Sequence, residues 1–145
     1  NFSVSQDGAL FFRYVLTSGA GDATPGSVAA FGQEANVPFS GIFTGHERDR
    51  ALPPTAKMLA IDNPDVRFLA LKHADDGRGL ILRLWNPTDY AQAVSATLVG
   101  RAIEHAVRCS VTEADRDEAV ATDGDTLSLE IAARDFVTLR LVTAD

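Results

Sequence analysis

The sequence is poor in several features that mark whole classes of protein. It contains a single cysteine, Cys109, so an internal disulfide is excluded and nothing indicates an oxidising compartment. Its 13 basic residues are outnumbered by 20 acidic ones. The resulting net charge of −7 argues against nucleic acid or an anionic membrane as partner, because both bind basic surfaces. No apolar run approaches the roughly 20 residues that span a bilayer. We therefore expect a cytoplasmic setting.

The pattern from Met58 onward is typical of a β-sandwich. Short runs rich in β-formers recur there, and turns rich in Asp, Asn, Gly and Pro separate them every eight to twelve residues or so. The predicted strands are Met58–Ile61, Val66–His73, Leu80–Trp85, Ala91–Val99, Ala102–Thr112, Thr126–Ala132 and Phe136–Val142. The predicted fold is all-β, an antiparallel β-sandwich with one short helix near the N-terminus.

The chain divides into three predicted parts. Residues 1–39 would be strands and a helix that close a preceding β region, residues 40–57 a linker, and residues 58–145 the C-terminal sandwich. Phe2–Leu16 contains two aromatic-rich segments separated by Gln6-Asp7-Gly8. Both faces of the second are largely apolar, which indicates a strand that is covered on both sides or has lost its neighbours. Thr24 and Pro25 predict the start of a helix of about ten residues that Pro38 closes. Because the chain starts at Asn1 with a strand-like run, we expect a piece of a longer polypeptide.

The segment Lys72–Pro87 is the clearest hairpin, with Asp75–Gly79 as its turn. Alternation places Leu80, Leu82 and Leu84 toward the core, and Ile81, Arg83 and Trp85 on the outer face. Arg83, Trp85 and the adjoining Asn86 are therefore predicted to face a protein interface. Stacking of Trp85 on a sugar ring is the alternative.

Other candidate sites are better explained by structure than by chemistry. Gly19-Ala20-Gly21 lacks the third glycine of a dinucleotide-binding loop and reads as a connector. His105 and Cys109 would lie about 13 Å apart on a strand, too far to share zinc. The same alternation puts Ile103, Val107 and Cys109 on one face, with Cys109 as a small core residue.

The remaining polar clusters also lack the spacing of a site. His46 and His73 have no ligand-spaced partner, and we expect them to be solvated. The acidic stretch from Glu113 to Asp125 fails the EF-hand register and is predicted to be a solvated hairpin end. We therefore predict no catalytic residue, cofactor site or metal site in this chain.

Several of these segments together resemble glycoside hydrolase family 38, the α-mannosidases. The hairpin KHADDGRGLILRLWNP resembles the strand, acidic-glycine turn and I-L-R-aromatic strand of that family's C-terminal β region. Phe12-Arg13-Tyr14 with Glu34–Pro38 resembles the strand and helix that precede it, and Phe136–Leu141 resembles its last strand. The chain departs from the family at Thr17-Ser18 and at Ala133–Val137, which lack the usual Pro-His pair and leading proline.

The resemblance implies an accessory role. It implies a retaining, zinc-dependent α-mannosidase whose zinc and nucleophile lie in a catalytic domain of the same polypeptide, with which this piece packs. A homo-oligomer of the parent enzyme remains open as a further partner. The alternatives are a carbohydrate-binding module that uses Trp85 and a stand-alone structural or adhesion domain.

Overall fold

The computed structural model describes residues 8–37, 40–41 and 55–144. Within these ranges the chain forms one helix and nine strands. In order, they are α1 (Pro25–Asn36), β1 (Leu59–Ile61), β2 (Arg67–His73), β3 (Leu80–Trp85), β4 (Gln92–Leu98), β5 (Ile103–Cys109), β6 (Asp115–Ala119), β7 (Ala121–Asp123), β8 (Thr126–Ile131) and β9 (Phe136–Thr143). No helix in these ranges has the length and apolar character that crossing a membrane requires.

The helix begins where the sequence predicts. Thr24 is the N-cap, and its side chain accepts a hydrogen bond from the backbone N–H of Ser27 at 3.1 Å. The Ser27 hydroxyl in turn accepts from the backbone N–H of Thr24, which completes a reciprocal capping box. Pro25 occupies the first helical position, where its missing N–H has no helical partner to lose. The predicted closure at Pro38 lies outside the described residues.

The strands form two antiparallel sheets. One has four strands in the order β1-β4-β8-β7, and the other has five in the order β2-β3-β9-β5-β6. Buried apolar side chains from both sheets form a single cluster, including Leu82 and Leu84 of β3, Val94 and Leu98 of β4, Leu127 and Ile131 of β8, and Leu139 and Leu141 of β9. The predicted antiparallel β-sandwich with one short helix is confirmed.

The β2–β3 hairpin is built as the sequence indicates. Residues 74–79 connect β2 to β3, and Gly77 and Gly79 have φ values of 75° and 84°. A Cβ at Gly79 would overlap the carbonyl oxygen of Leu141, so this turn can approach β9 only because the side chain is absent. Leu82 and Leu84 lie in the core without exposed surface, and Leu80 packs partly against it.

Strand β5 departs from simple alternation. Its pairing with β9 shifts register between Ile103 and His105, which is the mark of a β-bulge. Ile103 and Ala106 consequently lie in the core cluster, whereas Cys109 pairs with Thr138 on the opposite face of the sheet. The prediction that Ile103, Val107 and Cys109 share a face is therefore wrong. Cys109 is buried, but outside the core cluster.

Two strands were not expected from the sequence. β6 and β7 lie in the acidic stretch that was predicted to be a hairpin end, and all their side chains are exposed. β6 pairs with β5 and β7 pairs with β8, each at the edge of its sheet. These two edge strands lack the alternation of apolar and polar residues by which strands are predicted from sequence. Their charged side chains disfavour pairing of the sheet edge with another chain.

The described part of the predicted N-terminal strand, residues 8–16, forms no strand in this structure. Its large apolar side chains are exposed: Phe11 is 96% and Leu16 is 92% accessible, and Leu10, Phe12 and Tyr14 are also exposed. A strand forms only beside a hydrogen-bonding neighbour, and this segment has none among the described residues. Of the predicted linker, residues 42–54 lie outside the description, so the three-part division stays a prediction.

Helix α1 lies against β2, an edge of the five-stranded sheet. The side-chain amide of Gln33 donates to the carbonyl oxygen of Phe68 at 2.7 Å, and its oxygen accepts from Arg67 Nε at 3.2 Å. Gly26 is buried, and a Cβ there would lie 2.9 Å from the Cα of Asp65. The helix therefore covers part of an edge whose backbone groups would otherwise be open.

Candidate functional site

The outer face of the five-stranded sheet carries most of the polar chemistry of the sandwich. Here "outer face" means the side that points away from the four-stranded sheet. The register places Ile81 beside Lys72 and Arg140, and Arg83 beside Thr138. Ile81 lies on this face as predicted, but it has no exposed surface. The face is therefore covered by other side chains of the same domain over part of its area.

Arg140 is the centre of that covering layer. Its side chain is only 3% exposed, yet its guanidinium makes four hydrogen bonds. Nε donates to Asp115 at 2.6 Å, and Nη1 donates to Asp76 at 2.9 Å and to the carbonyl oxygen of Arg78 at 2.8 Å. Nη2 donates to the carbonyl oxygen of Glu113 at 2.8 Å. A buried arginine is tolerated because its donors are satisfied in this way.

Glu113 is a second centre on the same face. Its side chain is 7% exposed and accepts from the backbone N–H of Asp75 at 2.9 Å and from Lys72 Nζ at 2.6 Å. Its backbone is left-handed, with φ at 66°, so the loop after β5 turns sharply to bring the carboxylate back over the sheet. Lys72 also pairs with Asp75. The β2–β3 turn and the β5–β6 loop are thus joined across the outer face.

The pKa shifts agree with this geometry. Hydrogen bonds from the backbone and side chain of Arg78, and from Arg140, lower the pKa of Asp76 from 3.8 to about 2. The N–H of Asp75 and the Lys72 ammonium lower the pKa of Glu113, and the Arg140 guanidinium lowers that of Asp115. The pKa of Lys72 is raised by the two carboxylates that it contacts. Each group is therefore held in its charged form at neutral pH.

We call this set of side chains the outer ion cluster. It consists of Lys72, Arg78, Arg83 and Arg140 with Asp75, Asp76, Glu113 and Asp115. Positive and negative groups are equal in number, so the cluster needs no ligand to balance its charge. Its arrangement is that of a structural network, in which two loops are fixed to the sheet.

Arg83 is the least satisfied member of the cluster. Its Nη2 donates to the carbonyl oxygen of Val111 at 2.7 Å and lies 3.8 Å from Glu113 Oε1. Its Nε is buried and has no hydrogen-bond partner among the described residues. The side chain retains 27% exposure. Arg83 thus lies on the outer face as predicted, but most of its hydrogen-bonding capacity is unused.

Trp85 is half-buried beside a second aromatic residue. It pairs across the ladder with Phe136, the first residue of β9, which is 45% exposed. Arg67 is its register partner on β2. The two aromatic rings belong to neighbouring strands on one face, which makes this end of the outer face the more apolar one.

Asn86 does not face a ligand or an interface. It is fully buried, and its Nδ2 donates to the carbonyl oxygens of Tyr90, Ile131 and Ala132 at 2.8–3.1 Å. Its Oδ1 accepts from the backbone N–H and the hydroxyl of Thr88. The prediction that Asn86 faces an interface is therefore wrong. The residue ties the loop after β3 to the end of β8, because this turn has buried carbonyls that need a donor.

A groove of about 180 Å³ lies between β9 and the end of β5. Arg108, Arg116, Phe136 and Thr138 line it, together with Cys109, Val111, Asp135 and Val137. Burial is the main cause that raises the pKa of the Cys109 thiol, which donates to Asp115 at 3.4 Å. The thiol is therefore not an activated nucleophile.

The described residues offer no metal site. No group of three His, Cys, Asp or Glu side chains in the described ranges is placed to hold a metal ion. His105 and His73 are exposed on different strands, and His46 lies outside the description. Residues 19–21 form no regular element ahead of α1.

The roles of Arg140 and Glu113 are not apparent from the sequence. One signal was available: Arg140 lies within the largely apolar run Phe136–Leu141. A charged residue in such a strand is rarely buried unless it has ionic or hydrogen-bonding partners on its own face of the sheet. The acidic turn at Asp75-Asp76 supplies one of them. Nothing in the sequence shows that the loop at Glu113 folds over the same face.

Comparison with known families gives one match. The model for the glycosyl hydrolases family 38 C-terminal beta sandwich domain matches residues 65–139, just over half of the chain. The matched residues run from the start of β2 into β9 and contain all of the outer ion cluster except Arg140. No curated protein and no solved structure matches the chain.

Proposed function

Since the chain belongs to glycosyl hydrolase family 38 and contains its C-terminal β-sandwich domain, we propose that it is the non-catalytic accessory part of a retaining, zinc-dependent α-mannosidase-like enzyme. The domain would pack on the catalytic part of the same polypeptide and support it. The family match carries this proposal. The self-balanced outer ion cluster supports it, because its carboxylates are engaged in structural contacts.

The zinc of the proposed enzyme would be held elsewhere. The described residues include no set of three suitable ligands, and the acidic side chains closest together are paired with arginine or lysine. We propose that the metal and the nucleophile lie in the catalytic domain. The part described here would contribute packing and no chemical step.

The exposed segment at residues 8–16 supports association with the rest of the enzyme. Leu10, Phe11, Phe12, Tyr14 and Leu16 each have more than 60% of their surface accessible. A group of large apolar side chains exposed to water is unfavourable, and the N–H and C=O groups of such a segment can pair with the edge of a sheet. We propose that this segment completes a β region of the catalytic part.

The test compares the whole enzyme with its separated parts. The isolated chain should not hydrolyse aryl α-mannosides with or without added zinc. Removal of residues 55–145 from the whole enzyme should lower its thermal transition and its turnover. Hydrolysis by the purified chain that a chelator abolishes would contradict the proposal, as would full activity and stability of the shortened enzyme.

A carbohydrate-binding module is the second candidate. Trp85 is partly exposed beside Phe136 and Arg83, and aromatic faces next to polar donors are suited to sugar rings. Because Trp85 is the sole tryptophan of the chain, its fluorescence reports directly on this surface. Titration with mannose oligomers should leave the emission unchanged at millimolar ligand. A saturable shift that Trp85→Phe removes would favour the module.

The setting and assembly of the enzyme complete the proposal. We propose a cytoplasmic location, supported by the single cysteine, which is free. A homo-oligomer of the whole enzyme is compatible with the exposed apolar surface of this chain. Analytical ultracentrifugation of the whole enzyme would measure its oligomeric state directly.

A further inference from the structure

The groove between β9 and the end of β5 has an unusual combination of polar groups. Thr138 is 3% exposed, and its hydroxyl has no hydrogen-bond partner among the described residues. Arg83 pairs with Thr138 in the ladder, and its buried Nε is likewise unpartnered. Buried donors are normally satisfied, so two such groups on neighbouring strands mark a place where a partner is missing.

Arg83 differs sharply from Arg140, which lies on the same face. Arg140 makes four hydrogen bonds, whereas Arg83 makes one, to the carbonyl oxygen of Val111. Val111 itself lines the groove. An arginine anchored by a single bond and still partly exposed can turn its guanidinium toward a carboxylate that enters beside it.

The charges around the groove favour an acidic occupant. Its lining includes two arginines, Arg108 and Arg116, and one aspartate, Asp135. One oxygen of Asp135 already accepts from the backbone N–H of Phe136. Arg108 donates to the carbonyl oxygen of Glu130 and forms an ion pair with Glu118 at 3.7 Å. Within the part of the chain described, Arg116 makes no ion pair. Arg116 is therefore the guanidinium in the groove lining that is available to an entering carboxylate, to which its charge is complementary.

The groove also has an apolar end. Phe136 lines it with 45% of its surface exposed, and Phe136 pairs with Trp85 on the adjacent strand. Protein–protein interfaces are typically enriched in aromatic residues and arginine. Ion pairs between complementary charges across such an interface fix the orientation of the two partners. The groove and the two aromatic side chains thus form one continuous surface at this end of the outer face.

We propose that this surface docks a segment of the enzyme's catalytic part that places an Asp or Glu carboxylate beside Arg83 and Arg116, with an apolar side chain against Phe136. The inference rests on the accessory role proposed above and specifies which face makes the contact. It differs from the contact of residues 8–16, which involves backbone pairing.

The experiment uses the whole enzyme and hydroxyl-radical footprinting with mass spectrometry. We expect oxidation of Phe136 to be slow in the wild type and to rise several-fold in Arg116→Glu and in Arg83→Gln. Arg101→Glu is the matched control, because Arg101 is also an exposed arginine but lies near the β4–β5 turn. It should leave Phe136 unchanged. Oxidation of Tyr90, an exposed aromatic outside the groove, should be the same in all variants.

The outcomes separate this inference from the proposed function. An unchanged thermal transition of Arg116→Glu would show that the exposed strand β6 still folds. Slow oxidation of Phe136 in every variant would overturn the carboxylate contact. Fast oxidation of Phe136 in the wild type would overturn docking at this face, even if removal of residues 55–145 still inactivates the enzyme. Protection that increases with enzyme concentration would assign the surface to a second copy and also overturn it.

Discussion

Replacement of Arg140 tests whether the outer ion cluster stabilises the sandwich. Arg140→Met keeps a long unbranched side chain over the sheet but removes four hydrogen bonds, to Asp115, Asp76 and the carbonyl oxygens of Arg78 and Glu113. Loss of one partner from a buried pair typically costs 3–5 kcal/mol. Asp76 and Asp115 keep 42% and 34% of their side-chain surface, so water would solvate them in part. We therefore expect a loss of about 2–3 kcal/mol.

The assay is urea unfolding of the chain, followed by circular dichroism at neutral pH. A loss of this size should lower the urea concentration at the unfolding midpoint by about 1–2 M, because m in urea is about 1–3 kcal/mol/M for small domains. Arg140→Lys should recover only part of it, because one ammonium cannot reach four acceptors in fixed directions. Arg134→Met is the control: Arg134 and Asp89 form an exposed ion pair, which should contribute little. If Arg140→Met unfolds at the wild-type urea concentration, the cluster does not stabilise the fold.

Three further predictions concern acid stability, a buried amide and the helix. The pKa of Asp76 is lowered from 3.8 to about 2 in the folded chain, so ionised Asp76 stabilises the fold fully above roughly pH 5 and this stabilisation is lost as the pH falls toward 2. Asp76→Asn should therefore make the free energy of unfolding, measured with urea, less dependent on pH over this range. Asn86→Ala should lower the free energy of unfolding by about 2–4 kcal/mol in the same assay, because the carbonyl oxygens of Tyr90, Ile131 and Ala132 lose their donor. A loss below about 1 kcal/mol would show that Asn86 does not stabilise this loop. Gly26→Ala should displace α1 from Asp65 and so speed amide hydrogen exchange in the helix. Gly32→Ala should slow this exchange, because a Cβ at that position has no atom within 4 Å and alanine favours the helix. Equal exchange rates in the two variants would refute the contact between Gly26 and Asp65.

The sequence predicted the architecture well because the sandwich depends on local patterns. Strand β3 was predicted at its observed bounds, Leu80–Trp85, since alternating leucines, an Asp/Gly turn before it and Asn-Pro after it all agree. The capped start of α1 was equally readable from Thr24 and Pro25. The family resemblance, placed on the same hairpin, was confirmed by the match over residues 65–139.

The errors have physical causes that no local pattern contains. A single bulge in β5 moved Cys109 to the outer face, because one extra residue reverses the side of every side chain after it. Strands β6 and β7 were missed because edge strands need only backbone partners. Asn86 looked like an extension of an exposed stripe, but the loop after β3 folds inward and buries it.

The sequence by itself determined seven of the nine described strands, the hairpin turn and the helix start, because these depend on alternation, glycine conformation and capping between near neighbours. The order of the same segments along the chain was enough to indicate the family. Only the tertiary structure decided what the outer face does. Arg140 and Glu113 contact groups up to 64 residues away in the chain, and these contacts join the β2–β3 turn to the β5–β6 loop across the sheet. The same structure leaves Arg83 almost unpaired beside a groove. That difference between two arginines on one face arises from loop positions, which sequence periodicity does not encode.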